Sequence, residues 1–403
     1  MQAVPVRIPE LSLSLERAAP ARPRLHSVDL VRGLVLVLLV LDHARAYFSA
    51  VRVEPTDLSQ VPNGLFLTHW VTHLCAPTFV LLAGAGTYLA LANGVPRREQ
   101  ARFLAVRGLG LIVLELTLVR LLWTFNLDYA GQPLVLQAIA AIGVCMIALA
   151  GLLALPPTAV AGLGIAIIAG HNLLDGVDPA VLGSWGPLWR VLHVPGLVQL
   201  GGLSLVVIYP VLPWIGVIAA GYGLGPVLTA PAASRRRALV RLGVGLILAF
   251  LVLRAWNGYG DPVGWTIQGS ADRTVLSFLD TTKYPPSLLF LLMTLGPALL
   301  LLAAADAWRG VAGDVLALIG RVPLFYYVLH LGLVHALALI IGILAGFEPG
   351  AFLTAWPSLP KGWGYGLPVI VAVWAAVVLA LYPACRWFAA VKAARRESWL
   401  RYL

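Results

Sequence analysis

Apolar runs of about 20 residues follow one another along almost the whole chain, broken by short polar stretches, which is the spacing of helices that cross a bilayer. Ten spans are read: 29–49, 66–92, 101–123, 132–154, 156–172, 203–225, 237–256, 285–306, 322–346 and 366–388. The pattern predicts an all-α, polytopic helical membrane protein of about ten transmembrane helices. A membrane domain over 29–388 is flanked by tails at 1–28 and 389–403. Gly201-Gly202 and Pro210-Val211-Leu212-Pro213 interrupt span 6, with no counterpart elsewhere and no internal repeat.

Charge sets the expected orientation. Arg7, Arg17, Arg22 and Arg24 precede span 1; Arg97, Arg98 and Arg102 lie between spans 2 and 3, and Arg235, Arg236, Arg237 and Arg241 between 6 and 7. Arg309 and Arg321 lie between spans 8 and 9, and Lys392, Arg395, Arg396 and Arg401 follow span 10. With an even span count these clusters share one side, so both termini are expected in the cytoplasm. The first 28 residues have no apolar core and span 1 no small-residue cleavage site, so no removed signal peptide is expected. The opposite loops, 50–65, 173–202, 257–284 and 347–365, are long and are expected in part to dock back on the bundle. Composition agrees: 60% hydrophobic and 11% charged residues exclude a soluble fold of 403 residues. The net charge of +10 sits in loop clusters rather than on a nucleic-acid-binding face. The three cysteines, Cys75, Cys145 and Cys385, lie in or beside apolar runs and imply no disulfide framework.

Ionisable residues inside the spans carry the chemistry, since each costs ~2.5–3.5 kcal/mol at a helix centre on insertion scales. Asp29 and Arg32 share a face of span 1, and His43 falls within ~40° of both, ~16 Å further along. Asp42 points elsewhere and is placed to orient a neighbouring imidazole. His69 and His73, spaced i, i+4, open span 2 ahead of Cys75 and the small-residue run Leu82-Ala83-Gly84-Ala85-Gly86, which permits close helix contact. Glu115, near mid-membrane in span 3, needs a partner such as Arg32 or Arg107. Span 9 opens at Gly320-Arg321-Val322-Pro323, followed by Tyr326 and His330 on one face and by His335 deeper in. Four histidines, His43, His69, His73 and His335, thus fall in the outer half of the bundle, where a neutral imidazole is the usual general base near pH 7. Plainer readings stand beside these: helix–helix hydrogen bonds for the histidines, a structural ion pair for Asp29–Arg32, a buried structural thiol for Cys75. A metal on His69 and His73 has no third ligand at a suitable spacing, so none is expected.

Several stretches resemble one family. Leu25-His26-Ser27-Val28-Asp29-Leu30-Val31-Arg32-Gly33-Leu34, with Leu41-Asp42-His43, is similar to the first span of the heparan-alpha-glucosaminide N-acetyltransferase-like bacterial membrane proteins. So are Thr72-His73-Leu74-Cys75-Ala76-Pro77-Thr78-Phe79, Thr282-Lys283-Tyr284-Pro285-Pro286-Ser287-Leu288, Gly320-Arg321-Val322-Pro323-Leu324-Phe325-Tyr326 and Trp399-Leu400-Arg401-Tyr402-Leu403. The Asp-x-x-Arg-Gly…His pattern is also distantly like acyltransferase-3 enzymes. The resemblance implies transfer of an acyl group from cytoplasmic acyl-CoA to a sugar amine or hydroxyl on the far side. It also implies a catalytic Asn near the end of span 1 and a His after it. Here His43 occupies the Asn position, and His69 and His73 fall later than the family's His.

The sequence reading is therefore an acyl-CoA-dependent transmembrane N- or O-acyltransferase, with a transporter or flippase as the alternative. His43, His69, His73 and Asp42 are the expected catalytic group, and Asp29, Arg32 and Arg321 face the donor. Lys283, Tyr326, His330 and His335 are expected toward the substrate. No permanent cofactor is expected beyond acetyl-CoA or another acyl-CoA as donor substrate. The partners are the lipid bilayer and a sugar or glycoconjugate acceptor, with a homodimer left open. The resemblance and the excess of Arg over Lys (25 to 3) point to a bacterial cytoplasmic (inner) membrane.

Overall fold

The computed structural model describes residues 25–395 apart from 55, 130–131 and 356–357. Arg7, Arg17, Arg22, Arg24, Arg396, Arg401 and the motif at 399–403 lie outside the described residues. Each of the ten expected spans contains a helix. α1 is His26–Phe48, α2 Asn63–Thr72, α3 Cys75–Ala92 and α4 Arg97–Leu114. A π-helical turn, Glu115–Val119, joins α4 to α5, Arg120–Thr124; α6 is Ala138–Leu152 and α7 Pro157–Gly170. After two 3-10 turns come α8 (Gly186–Leu192), α9 (Leu212–Gly223), α10 (Gly225–Thr229) and α11 (Ala232–Trp256). The rest are α12 (Ala271–Leu279), α13 (Leu288–Ala305), α14 (Val311–Gly320), α15 (Pro323–Leu344) and α16 (Leu367–Ala394).

Seven helical runs among the described residues are long and apolar enough to cross a membrane: α2–α3, α7 with its following turn, α9–α10, α11, α13, α15 and α16. Of the other expected spans, α6 has 15 residues, while α1 and the α4–α5 run carry several charges each. The chain is an integral membrane protein by this architecture. Exposure sorts the helices: the most apolar stretch of α13 is 78% buried, whereas those of α11 and α16 are 22% buried. α13 is an interior helix, and α11 and α16 turn residues such as Val252 and Leu379 outward, toward lipid.

The expected all-α fold needs one correction. A small sheet of order β1-β3-β2 forms from β1 (Leu134–Leu136), β2 (Gly196–Leu200) and β3 (Leu203–Val207). β2 and β3 are an antiparallel hairpin, and β1 runs parallel to β3. Spans 4 and 6 therefore begin later than hydropathy placed them, at Ala138 and Leu212. The reason is local. Gly201 and Gly202 have φ of +54° and +92°, as a two-residue hairpin turn needs, and Leu-Ser-Leu-Val-Val after them suits a strand. The apparent break in span 6 is thus a hairpin preceding its helix.

α1 is the hub, packing on α2, α3, α13, α14, α15 and α16. Val31, Val35, Val40, Ala44 and Tyr47 along it are fully buried, as the central helix of a bundle requires. Close approach is bought by glycines. A Cβ on Gly84 would collide with the Ile218 carbonyl of α9, and one on Gly33 with the Leu316 carbonyl of α14. Two arginines, Arg254 buried and Arg273 half-buried, pin one connection at one end of the bundle. Arg254 donates to the carbonyls of Phe278, Val263, Ser277 and Asp280. Arg273 Nη1 reaches the Leu58 and Val61 carbonyls, both at 2.8 Å. These contacts fold the long 257–287 connection back over the helices.

Candidate active site

α1 carries two groups of polar residues, one near each end. At its N-terminal end Asp29, 4% exposed, accepts from Arg32 Nη1 at 3.1 Å and faces Arg321 Nε at 3.8 Å. Arg32 also donates to the Gly320 carbonyl at 3.3 Å. This cluster borders a cavity of about 410 Å³ whose lining includes Asp29, Arg32, Gly86, Asn93, Thr229 and Arg235. A methyl on Gly86 would meet nothing within 4 Å, so that glycine faces the open space. Arg32 and Arg235 line the cavity, paired with Asp29 and, at 2.6 Å, with Asp306; with Arg321 half exposed beside them the entrance keeps a net positive charge.

At the other end the histidines divide into two systems. His43 Nδ1 lies 2.8 Å from His330 Nε2, and His330 Nδ1 lies 2.9 Å from the Tyr326 carbonyl oxygen. A carbonyl only accepts, so His330 Nδ1 carries the proton. In a neutral His330 the Nε2 then accepts, and His43 donates through its own Nδ1. That leaves the lone pair of His43 on Nε2, which has no hydrogen-bond partner among the described residues, on a ring that keeps 6% exposure. Trp123 packs edge-on against His43 at 4.9 Å and Tyr327 at 6.1 Å, fixing the ring in an aromatic wall.

The second system centres on Asp42, whose Oδ1 takes Arg45 Nη2 at 2.8 Å, His69 Nδ1 at 3.0 Å and Thr72 Oγ1 at 3.2 Å. His69 Nδ1 also lies 3.1 Å from Arg45 Nη2, a donor, so this nitrogen either donates to the Asp42 carboxylate, leaving Nε2 to accept, or accepts from the guanidinium, leaving the proton on Nε2. His73 packs on His69 at 4.6 Å and on Phe290 at 5.2 Å, and both its buried nitrogens lack partners among the described residues.

Lys283 reaches this cluster from a different segment. Its ammonium lies over the Tyr284 ring, 5.2 Å from the centroid. The loop presenting it is shaped by Asp261, which accepts from Thr282 N at 2.9 Å, Thr282 Oγ1 at 2.8 Å and Ser287 Oγ at 2.6 Å. Ser287 Oγ in turn caps α13 by accepting from Phe290 N at 3.0 Å. Beside the lysine, the Tyr284 hydroxyl lies 3.4 Å from that of Tyr209, and burial holds both phenols above their ordinary range.

The other expected site residues have different surroundings. Tyr326 enters through its carbonyl, while its hydroxyl is buried without a partner among the described residues. His335 places both ring nitrogens 2.8 Å from carbonyls, those of Leu122 and Phe352, and stacks between Tyr47 and Phe125. It ties three chain segments together. Glu115 was expected to meet an arginine, but its carboxylate accepts from Ala140 N at 2.9 Å, at the positive end of α6. Cys75 donates to the Val35 carbonyl at 3.2 Å, as a structural thiol does. The sequence reading missed Arg45, although its i, i+3 spacing from Asp42 was a signal. It also missed Asp261 and Trp123, which nothing in the local pattern marks.

A family profile described as the catalytic domain of heparan-alpha-glucosaminide N-acetyltransferase matches residues 24–253. No curated protein matches the chain. The chain belongs to the heparan-alpha-glucosaminide N-acetyltransferase catalytic family. The matched stretch contains Asp29, Arg32, Asp42, His43, His69 and His73, whereas Lys283, Arg321 and His330 lie beyond it.

Proposed function

We propose that the protein transfers an acetyl group from acetyl-CoA, entering at the Asp29–Arg32 end, to an amine or hydroxyl of a sugar or glycoconjugate at the histidine end. The observation that carries this reading is the His43–His330–Tyr326 relay, which leaves a bare imidazole nitrogen on the helix whose other end holds the cationic cavity. Phosphates of the donor bind Arg32, Arg235 and Arg321. The pantetheine arm follows α1 over the ~16 Å from Arg32 to His43. His43 Nε2 removes the proton from the acceptor N–H or O–H as that atom attacks the thioester carbonyl. The C–N or C–O bond forms, and negative charge gathers on the carbonyl oxygen, where Lys283 stabilises it. Collapse breaks the C–S bond, and the proton on His43 passes to the departing thiolate. Asp42 and Arg45 hold His69 as the second imidazole, toward the acceptor. No covalent enzyme intermediate is required. A bacterial cytoplasmic membrane, with the donor on the cytoplasmic side, belongs to the same proposal.

The test uses detergent-purified protein, acetyl-CoA and a panel of amino sugars and hydroxyl acceptors. Arg32→Ala should weaken acetyl-CoA binding in calorimetry. His43→Ala should bind the donor normally and lose ~10²–10⁴-fold in transfer. Failure of the folded wild type to bind acetyl-CoA or any longer acyl-CoA would overturn the reading.

A further inference from the structure

Away from the acyl-transfer site, three side chains at the outer end of α7 converge. His171 follows the last residue of α7, Asp175 lies one turn further on, and His193 follows α8. One ligand atom from each lies within 4.8 Å of the other two. His171 and His193 are 2% and 1% exposed, and Asp175 reaches the surface.

The hydrogen bonding is incomplete in a particular way. Both ring nitrogens of His171 are buried with no partner among the described residues, and so is Nδ1 of His193. Buried polar atoms are ordinarily paired, and three unpaired imidazole nitrogens in one place need an explanation. His193 Nε2 donates to the His171 carbonyl at 2.7 Å, which puts the lone pair of His193 on Nδ1. Metal-bound histidines commonly present this arrangement, one nitrogen to the ion and the other to a carbonyl. Asp175 is oriented too. Asn172 Nδ2 holds its Oδ2 at 2.8 Å; its Oδ1 lies 3.6 Å from His193 Nε2, on the protonated edge of that ring, and joins a metal on Nδ1 by turning about the Asp175 side chain.

We infer that His171, Asp175 and His193 bind a divalent transition metal, zinc being the ion their chemistry suits best. Two imidazoles and one carboxylate favour zinc over calcium or magnesium, which take oxygen. Zinc at ~2.0–2.2 Å from each ligand draws the atoms in by roughly 1 Å, a side-chain adjustment, and leaves a fourth position for water. The same site braces the bundle. Asn172 Oδ1 accepts from Leu288 N at 2.8 Å, next to Ser287 of the loop that presents Lys283. A metal here locks the 171–193 excursion to the start of α13. The inference does not depend on acyl transfer.

The experiment strips full-length protein in detergent with a chelator, then adds Zn²⁺ and measures bound metal and thermal stability; Co²⁺ reports geometry by its visible spectrum. Wild type should take up about one Zn²⁺ per chain, gain stability and give a tetrahedral Co²⁺ spectrum. His171→Gln and His193→Gln should lose all three responses, whereas His69→Gln with His73→Gln should keep them. Because a buried histidine change can impair folding, Asp175→Asn serves as the second variant, with Zn²⁺ affinity at least ~10-fold lower. No uptake by folded wild-type protein would overturn the site. So would wild-type affinity in Asp175→Asn together with undiminished uptake in whichever histidine variant folds.

Discussion

Gly33 of α1 and Gly320 of α14 interlock: a Cβ on Gly33 would overlap the Leu316 carbonyl, and one on Gly320 would overlap that of Asp29. The two helix backbones touch, and this contact brings Arg321 beside Asp29 and lets Arg32 reach the Gly320 carbonyl. Gly33→Ala forces the helices apart and should cost about 1–3 kcal/mol of stability. Thermal unfolding in detergent reads this, and acetyl-CoA affinity should fall with it because the arginines lose register. A Gly33→Ala protein with unchanged melting would mean that α14 yields freely.

His330 is a positioning residue for His43. His330→Ala removes the acceptor of His43 Nδ1–H, so the ring loses its tautomer preference and the transfer rate should drop by roughly tenfold or more, within the range set by losing the base itself. His330→Gln keeps an acceptor oxygen and should restore part of the rate. Steady-state kinetics separate the two variants, and equal rates for both would remove the relay from the mechanism.

Asp261 shapes the Lys283 loop through Thr282 and Ser287. Asp261→Ala leaves these donors without an acceptor and frees the lysine. Transfer should fall with little change in donor affinity, because the donor cavity lies at the opposite end of α1. Donor titration alongside rate measurements distinguishes this from a general loss of fold, in which both would fail.

His335→Leu should destabilise the bundle by roughly 1–3 kcal/mol, for the one carbonyl that the single N–H of the neutral ring pairs. The Leu122 and Phe352 carbonyls belong to segments far apart in the chain. Transfer per folded molecule should persist. A variant with wild-type melting and no transfer would return His335 to the substrate-binding role expected from the sequence.

Acid stability has one identifiable contributor outside the spans. Burial and the neighbouring carboxylate of Asp261 push Asp280 up from 3.8 to about 6, although Arg254 opposes them. The folded state therefore holds this proton more tightly than the unfolded chain does. Its stabilising contribution is full below pH 3.8 and is lost as pH rises through about 6. Asp280→Asn, which cannot ionise, should melt higher than wild type near pH 7 and approach it near pH 4. The same difference at both pH values would contradict this assignment.

The sequence alone determined the membrane class, the helix in each of ten apolar runs and the rows of polar residues on α1, because hydropathy and the helical period act locally. Residues three or four apart, such as Asp29 with Arg32, share a face whatever else the chain does. The sequence also carried the hairpin in its Gly201-Gly202 pair, but a hydropathy window averages that signal away. What only the tertiary structure decided is which groups from distant segments meet. His43 with His330, 287 residues on, Asp42 with His69, Asp261 beneath Lys283, and His171 with His193 arise from helix packing, glycine contacts and docked loops. Pairing of this kind depends on the interlocking of whole helices, and no local pattern encodes it.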